Sequence, residues 1–216
     1  MDEKVSFLKN PEVQIVPEIK APDRPFYFFA KRAFDISASL AAGIFLLIPM
    51  AVVAVLIKID SPGPVFYVQE RLGKNGRPFM MYKFRSMRTD AEKSGPRWAS
   101  ENDSRSTKFG SFIRKMRIDE LPQLLNIFTG EMSFVGPRPE RAFFYREFEK
   151  YIIGFSNRLA VKPGLTGLAQ VNGGYDLRPE EKIVFDMEYI RKMSFLLDME
   201  CIFRTFPVVF GKKGAR

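Results

Sequence analysis

The longest apolar stretch runs from Ile36 to Ile57, 22 residues without a charge. As a helix at roughly 1.5 Å per residue it would reach about 33 Å, enough for a hydrocarbon layer about 30 Å thick. Pro49 interrupts it near the middle. Proline has no N–H for the carbonyl of Phe45, and its ring pushes Ile48 away from helical geometry. A break at Ile48–Pro49 leaves two pieces of roughly 12 residues, each too short to cross. Lys31 and Arg32 precede the run, and Lys58, Arg71, Lys74 and Arg77 follow it, so both ends resist translocation. A re-entrant helix-break-helix satisfies both flanks, and a spanning helix with a tolerated proline kink satisfies the length. On these residues alone both readings stay open.

After this run the pattern changes to strand-like segments, Pro64–Arg71 and Phe79–Arg85, around Gly73-Lys-Asn-Gly76. The Asn-Gly pair suits a tight turn, so the spacing predicts a β-hairpin. Phe109, Phe112, Ile113 and Met116 then recur at helical spacing with Arg114, Lys115 and Arg117 between them, which predicts an amphipathic helix for a lipid interface or for a core. Leu121, Leu124, Leu125 and Phe128 line one face of a helix predicted from Glu120 to Thr129 and ended by Gly130. Further helices are predicted at 140–151, 179–193 and 196–206. Pro11, Pro17, Pro22 and Pro25 stand among charges in residues 1–26, which predicts an extended or loosely ordered lead-in rather than a signal peptide.

A length of 216 residues suits one packed domain with an appended segment. The net charge of +9 implies an anionic partner, and the 71–117 segment holds 13 Lys or Arg against 4 Asp or Glu. The basic excess is therefore local. With no His, Ser-His-Asp and Cys-His nucleophile systems and His-based zinc sites are excluded, so acid, base or metal chemistry rests on carboxylates. The single Cys201 forms no internal disulfide and reads as a packed residue of a cytosol-facing domain.

The densest chemistry lies in RIDELPQLLNIFTGEMSFVGPRPE, Arg117 to Glu140. Asp119 falls at the expected N-cap of the 120–129 helix, where the dipole and free N–H groups would keep it ionised and attract phosphate. Such an Asp among arginines is a nucleophile toward phosphorus or a metal ligand. Its neighbour Glu120 allows a division of labour, one carboxylate attacking and one holding Mg²⁺. Asp at a helix start followed by Glu and Pro is also an everyday N-terminus. Arg138, between Pro137 and Pro139, is a phosphate clamp or a surface Arg in a rigid turn. Lys162–Gly167 is a small two-glycine loop, a weak anion-binding signal.

Lys83-Phe-Arg-Ser-Met87, Asn102-Asp-Ser-Arg105, Asp119-Glu-Leu-Pro122 continuing to Asn126, Met132–Pro139 and Lys162–Asn172 occur in this order. Together they resemble the bacterial sugar transferases, monotopic polyprenyl-phosphate phosphoglycosyl transferases, over about Lys31 to Phe206. The resemblance implies transfer of a sugar 1-phosphate from a UDP-sugar to undecaprenyl phosphate, with release of UMP, through a covalent aspartyl-phosphosugar. It implies Asp119 as nucleophile and Glu120 as Mg²⁺ ligand. Arg114 and Arg138 would bind phosphates, Lys83 and Arg85 are further substrate-binding candidates, and Asp186 and Asp198 lie in family-like tail segments without an assigned role. It also implies a re-entrant helix broken at a proline, here Ile48–Pro49, with Ile48 where family members carry Ser.

The expected fold is thus α+β and mainly helical. It has a lead-in at 1–28, a re-entrant membrane helix at 29–60 and a catalytic domain at 61–216, with interfacial amphipathic helices and the hairpin around the site. The expected setting is the bacterial inner membrane, with the site on the cytoplasmic face. Its partners are then the UDP-sugar, undecaprenyl phosphate and the membrane, with room for a homodimer and no role for nucleic acid. The competing expectation is a membrane-anchored protein that binds nucleic acid or anionic lipid without chemistry, with Tyr82 and Trp98 as the base-stacking candidates.

Overall fold

A computed structural model describes residues 13–93, 95 and 103–210. Trp98, Asn102 and residues 1–12 of the lead-in lie outside them. From residue 13 onward the lead-in is more ordered than its prolines imply. Gln14–Ile15 (β1) pairs in parallel with Ile152–Ile153 (β5), and Val16 is buried in the main core.

Pro25 starts α1, Pro25–Phe45, and α2 follows as Leu47–Asp60. Proline at the first helical position loses nothing, because its missing N–H would have had no partner there. The two helices meet at Leu46 and are bent by 61°. The break therefore lies before Ile48–Pro49, which form part of the first turn of α2. Pro49 has no N–H to offer Phe45, so the discontinuity moves back toward that carbonyl, while proline is tolerated in the first turn of a helix. No single helix among the described residues is long and apolar enough to cross a membrane, although the bent pair together is.

The two helices differ in what they bury. In α1, Tyr27, Lys31, Asp35 and Ser39 are buried at every fourth position, which places them on one face. Lys31 Nζ pairs with Asp198 Oδ2 at 2.8 Å, and Tyr27 and Tyr189 donate hydroxyls to the same carboxylate. Asp35 Oδ1 accepts from Ser133 Oγ and from the Phe134 N–H. In α2 only Ile57 is buried, and Leu47, Ile48, Val52, Val55 and Ile59 are exposed.

Phe66–Leu72 (β2) and Pro78–Phe84 (β3) form the expected hairpin, antiparallel over seven pairs from Phe66↔Phe84 to Leu72↔Pro78. Asn75 and Gly76 turn it with positive φ. Lys108–Lys115 forms α3 and Gln123–Thr129 forms α4, which ends at Gly130 with φ 90°. Ser133–Val135 (β4) pairs in parallel with Gly164–Thr166 (β6). Ala142–Glu149 (α5), Leu168–Val171 (α6), Pro179–Lys192 (α7) and Phe195–Phe210 (α8) complete the mainly helical α+β fold. Its main core joins Ile183, Tyr189 and Ile190 of α7 to Ile152, Phe155 and Val135. A second cluster packs α4 on the hairpin through Ile127, Leu124, Phe79 and Met81. Between them, the fully buried Asn126 accepts from the Tyr82 N–H and donates to the Met80 carbonyl.

Candidate active site

A cleft of about 440 Å³ opens between the hairpin and the 105–140 region, and Lys83, Arg114, Asp119 and Arg138 all line it. A separate groove of about 360 Å³, between β1 and α7, contains none of these residues. The chemistry is therefore concentrated in the first.

Ile118–Glu120 is a 3-10 turn rather than the start of an α-helix, and α4 begins only at Gln123. Asp119 is thus not the N-cap of α4, and the helix dipole is not what governs it. Pro122 occupies the position before α4, and the tight turn ahead of it leaves both carboxylates buried. Burial is the largest influence on Asp119. It raises the carboxyl from 3.8 to about 6, with Lys83 pulling down and the neighbouring Glu120 adding to the rise. This corrects the expectation that the helix start keeps Asp119 readily ionised.

Burial would raise Glu120 too, but Arg138, Lys83 and Arg117 outweigh it and hold this carboxyl well below its usual range. Arg138 Nη2 stands 2.5 Å from Glu120 Oε1, Lys83 Nζ 3.4 Å and Arg117 Nη1 3.7 Å. Two adjacent carboxylates are thereby driven apart. One is costly to ionise and the other is ionised throughout the neutral range.

Arg117 was not among the expected site residues. Its left-handed backbone, φ 56°, is costly for a side chain with a Cβ, and here it accompanies the guanidinium's approach to Glu120. Its place in the sequence two residues before Asp119 was the available signal. Arg114 is buried, donates to Ser106 Oγ at 3.1 Å and lines the cleft.

Arg85 lines the same cleft, with its guanidinium committed to the segment after α2. Its guanidinium donates to the Pro62 carbonyl at 2.6 Å and to the Ser61 carbonyl at 2.7 Å, just past the end of α2. A Cβ at Gly63 would meet Arg85 Nη1 at 2.0 Å, so glycine leaves room for that bracket. The carboxylates of Asp186 and Asp198 are likewise committed elsewhere, to Arg158 and to Lys31.

Part of the basic charge between residues 71 and 117 is turned inward. Arg71 pairs with Glu140, Arg105 with Asp103 and Lys83 with Glu120, all largely buried. Such an arrangement suits a compact polyanion in a cleft better than an extended nucleic acid. Asp119 and Glu120 supply hard oxygen donors of the kind Mg²⁺ takes, and Mg²⁺ sites use one or two carboxylates together with substrate phosphates. Among the described residues no cluster of three or more such ligands is present. The pair therefore fits a cation that shares its coordination with phosphate.

Comparison with known proteins agrees with this chemistry. The family described as bacterial sugar transferase matches residues 26–212. The chain is 44% identical over 196 residues to a UDP-N-acetylgalactosamine-undecaprenyl-phosphate N-acetylgalactosaminephosphotransferase of Aeromonas hydrophila, covering 89% of this chain and 46% of that protein. It is 44% identical over 200 residues to a UDP-glucose:undecaprenyl-phosphate glucose-1-phosphate transferase of Xanthomonas campestris, covering 89% of this chain and 41% of the relative. A similarity of 36% over 215 residues to the exopolysaccharide production protein ExoY of Sinorhizobium fredii covers 93% of this chain and 94% of the relative. The chain thus spans less than half of the first two relatives and nearly all of the third.

Proposed function

Because the chain belongs to the bacterial sugar transferase family, we propose that it moves a sugar 1-phosphate from a UDP-sugar to undecaprenyl phosphate, releasing UMP. The observation that carries this reading is the buried Asp119–Glu120 pair ringed by Lys83, Arg117 and Arg138. An Asp119 oxygen attacks the sugar-bearing phosphorus, and the bond from that phosphorus to the UMP oxygen breaks. An oxygen of the lipid phosphate then attacks the same phosphorus, and the aspartyl ester bond breaks to return the carboxylate. Arg114, Arg138 and Lys83 neutralise the diphosphate, whose charge redistributes in each displacement. A phosphate monoester is already anionic near neutral pH, so the second step needs little help from a base, in keeping with a chain that has no His.

Glu120, ionised in the neutral range, would hold Mg²⁺ with the substrate's phosphate oxygens, and the ion would supply further charge neutralisation there. Glu120 also orders the cations around it.

The α1–α2 pair is assigned to the membrane, entering and returning on one side, with residues 61–216 as the catalytic part at the cytoplasmic surface of the inner membrane. In water the exposed Leu47, Ile48, Val52, Val55 and Ile59 of α2 would forgo roughly 10 kcal/mol of burial, comparable to the whole stability of a domain. In lipid they are solvated. Labelling single cysteines in Asp23→Cys and Lys58→Cys from either side of a vesicle tests re-entry, and opposite-side labelling would overturn it. Incubation with UDP-glucose or UDP-N-acetylgalactosamine, Mg²⁺ and undecaprenyl phosphate tests the reaction. UMP is expected, and UDP as product, or full activity in Asp119→Asn, would refute the proposal.

A further inference from the structure

The Arg138 guanidinium reaches Glu120 from a segment, Gly136–Glu140, with proline on both sides of Arg138. Prolines donate no N–H, so this segment is fixed mainly through its carbonyls. The Pro137 carbonyl accepts from the Gly164 N–H. Pro139 accepts from Arg71 Nη1, and Glu140 accepts from the Leu72 N–H. The carbonyl of Arg138 itself accepts from Arg158 Nη2 at 2.9 Å.

Arg158 is 3% exposed. The same Nη2 lies 2.6 Å from Asp186 Oδ2, and its guanidinium lies 4.9 Å from the Phe155 ring centre. Asp186 is 1% exposed, and burial raises its carboxyl against the pull of Arg158 and Lys182. A paired charge so deeply buried is costly unless its geometry is used. Here Nη2 of the planar Arg158 guanidinium joins α7, through Asp186, to the main chain of the residue that clamps Glu120.

We infer that Arg158, held by Asp186, is a positioning residue that sets the reach of Arg138 toward the substrate diphosphate. This inference rests on the transferase reading, in which Arg138 is a phosphate ligand. Lysine at 158 keeps the charge opposite Asp186 but loses the planar guanidinium that fixes Nη2 between the Asp186 carboxylate and the Arg138 carbonyl. An ångström of misplacement at a charged clamp is expected to lower kcat/KM for UMP release about 10- to 100-fold.

The test is a double-mutant cycle of Arg158→Lys with Arg138→Ala, read by UMP release and by calorimetric affinity for UDP, with thermal unfolding alongside. Arg158→Lys should weaken both readouts in the wild-type background and change each less than about twofold in the Arg138→Ala background. Equal losses in both backgrounds would make Arg158 merely structural and overturn the inference, as would unchanged UDP affinity in the single variant. If Arg158→Lys does not fold, Asp186→Asn in the same cycle should give the same non-additivity, and additivity there overturns the inference. UDP affinity does not require transfer. A wild-type protein that binds UDP but releases no UMP would refute the transferase reading, and the UDP cycle would still decide the coupling.

Discussion

Replacing Asp119 by Asn should stabilise the protein at neutral pH while abolishing transfer. The folded carboxyl titrates near 6 against an ordinary value of 3.8, chiefly because it is buried. A raised carboxyl value means that the fold favours the protonated form. That contribution is complete below pH 3.8, declines as pH rises and is gone above about 6. The gap is about two pH units at about 1.4 kcal/mol each, so holding Asp119 ionised costs ~3 kcal/mol. Asparagine keeps the shape without the charge and should recover roughly 2–3 kcal/mol at pH 7.5, about 5–10 °C in Tm for a chain of this size. Unfolding of both proteins in the same detergent at pH 4 and pH 7.5 measures the difference. A variant no more stable than wild type at pH 7.5, or equally favoured at both values, would refute the reasoning. The same titration should appear in catalysis, since in the proposed reaction the attacking form is the carboxylate. Wild-type kcat/KM for UMP release should fall about tenfold per pH unit below 6 and flatten above it.

Glu120→Gln should behave in the opposite sense. Glu120 is held below its ordinary 4.5, so it adds stability above that pH and loses it as pH falls through the folded value. The variant should lose about 3 kcal/mol at pH 7.5, with a deficit that narrows in acid, in the same unfolding experiment. Arg85→Lys should lower Tm by breaking the bracket on Ser61 and Pro62 while moving KM for the UDP-sugar less than twofold. A tenfold rise in KM at unchanged Tm would instead return Arg85 to the substrate site. Pro49→Ala should leave cysteines at residues 23 and 58 labelled from the same side of a vesicle, because both helices are tied to the rest of the protein, and opposite-side labelling would show that proline alone sets the bend.

The hairpin was legible because Asn75-Gly76 carries its turn chemistry locally and the flanking strands pair with each other. The helices of the second half were legible because their apolar spacing survives in the core. Asp119 was found for a reason the structure replaces. A helix beginning at Glu120 predicts an N-cap, but Pro122 lets α4 start only at Gln123, and the preceding turn buries the carboxylate. Burial in three dimensions, which a linear pattern does not record, then decides the titration. Arg85 shows a related limit: the sequence marks it as a phosphate ligand, and the structure keeps it in the lining of the cleft while adding partners 23 and 24 residues earlier that no local pattern records. Lys31 reads as a basic flank and Asp35 carries no signal in the sequence, because their partners, Asp198 and Ser133, lie far along the chain.

Those long-range partners bear on how the site meets a lipid substrate. Lys31, Asp35 and Ser39 put a polar stripe on a helix that otherwise exposes Phe29, Leu40 and Ile44. The stripe is directed at the protein, toward α8 through Asp198 and toward β4 through Ser133 and Phe134. Arg32 adds bonds to the Ile127 and Phe128 carbonyls at the end of α4, the helix that follows the Asp119 turn. At the other end of the pair, Asp60 accepts from the Phe109 N–H of α3, and Arg85 of the 79–85 segment holds the exit of α2. A hinge loose at either end would let the carboxylate pair drift relative to the headgroup plane. Tied at both ends to the elements that flank the cleft, the bent pair would, in the membrane setting proposed above, convert its depth in a bilayer into a fixed depth for Asp119, as attack by a lipid-borne phosphate on an Asp119 ester would require.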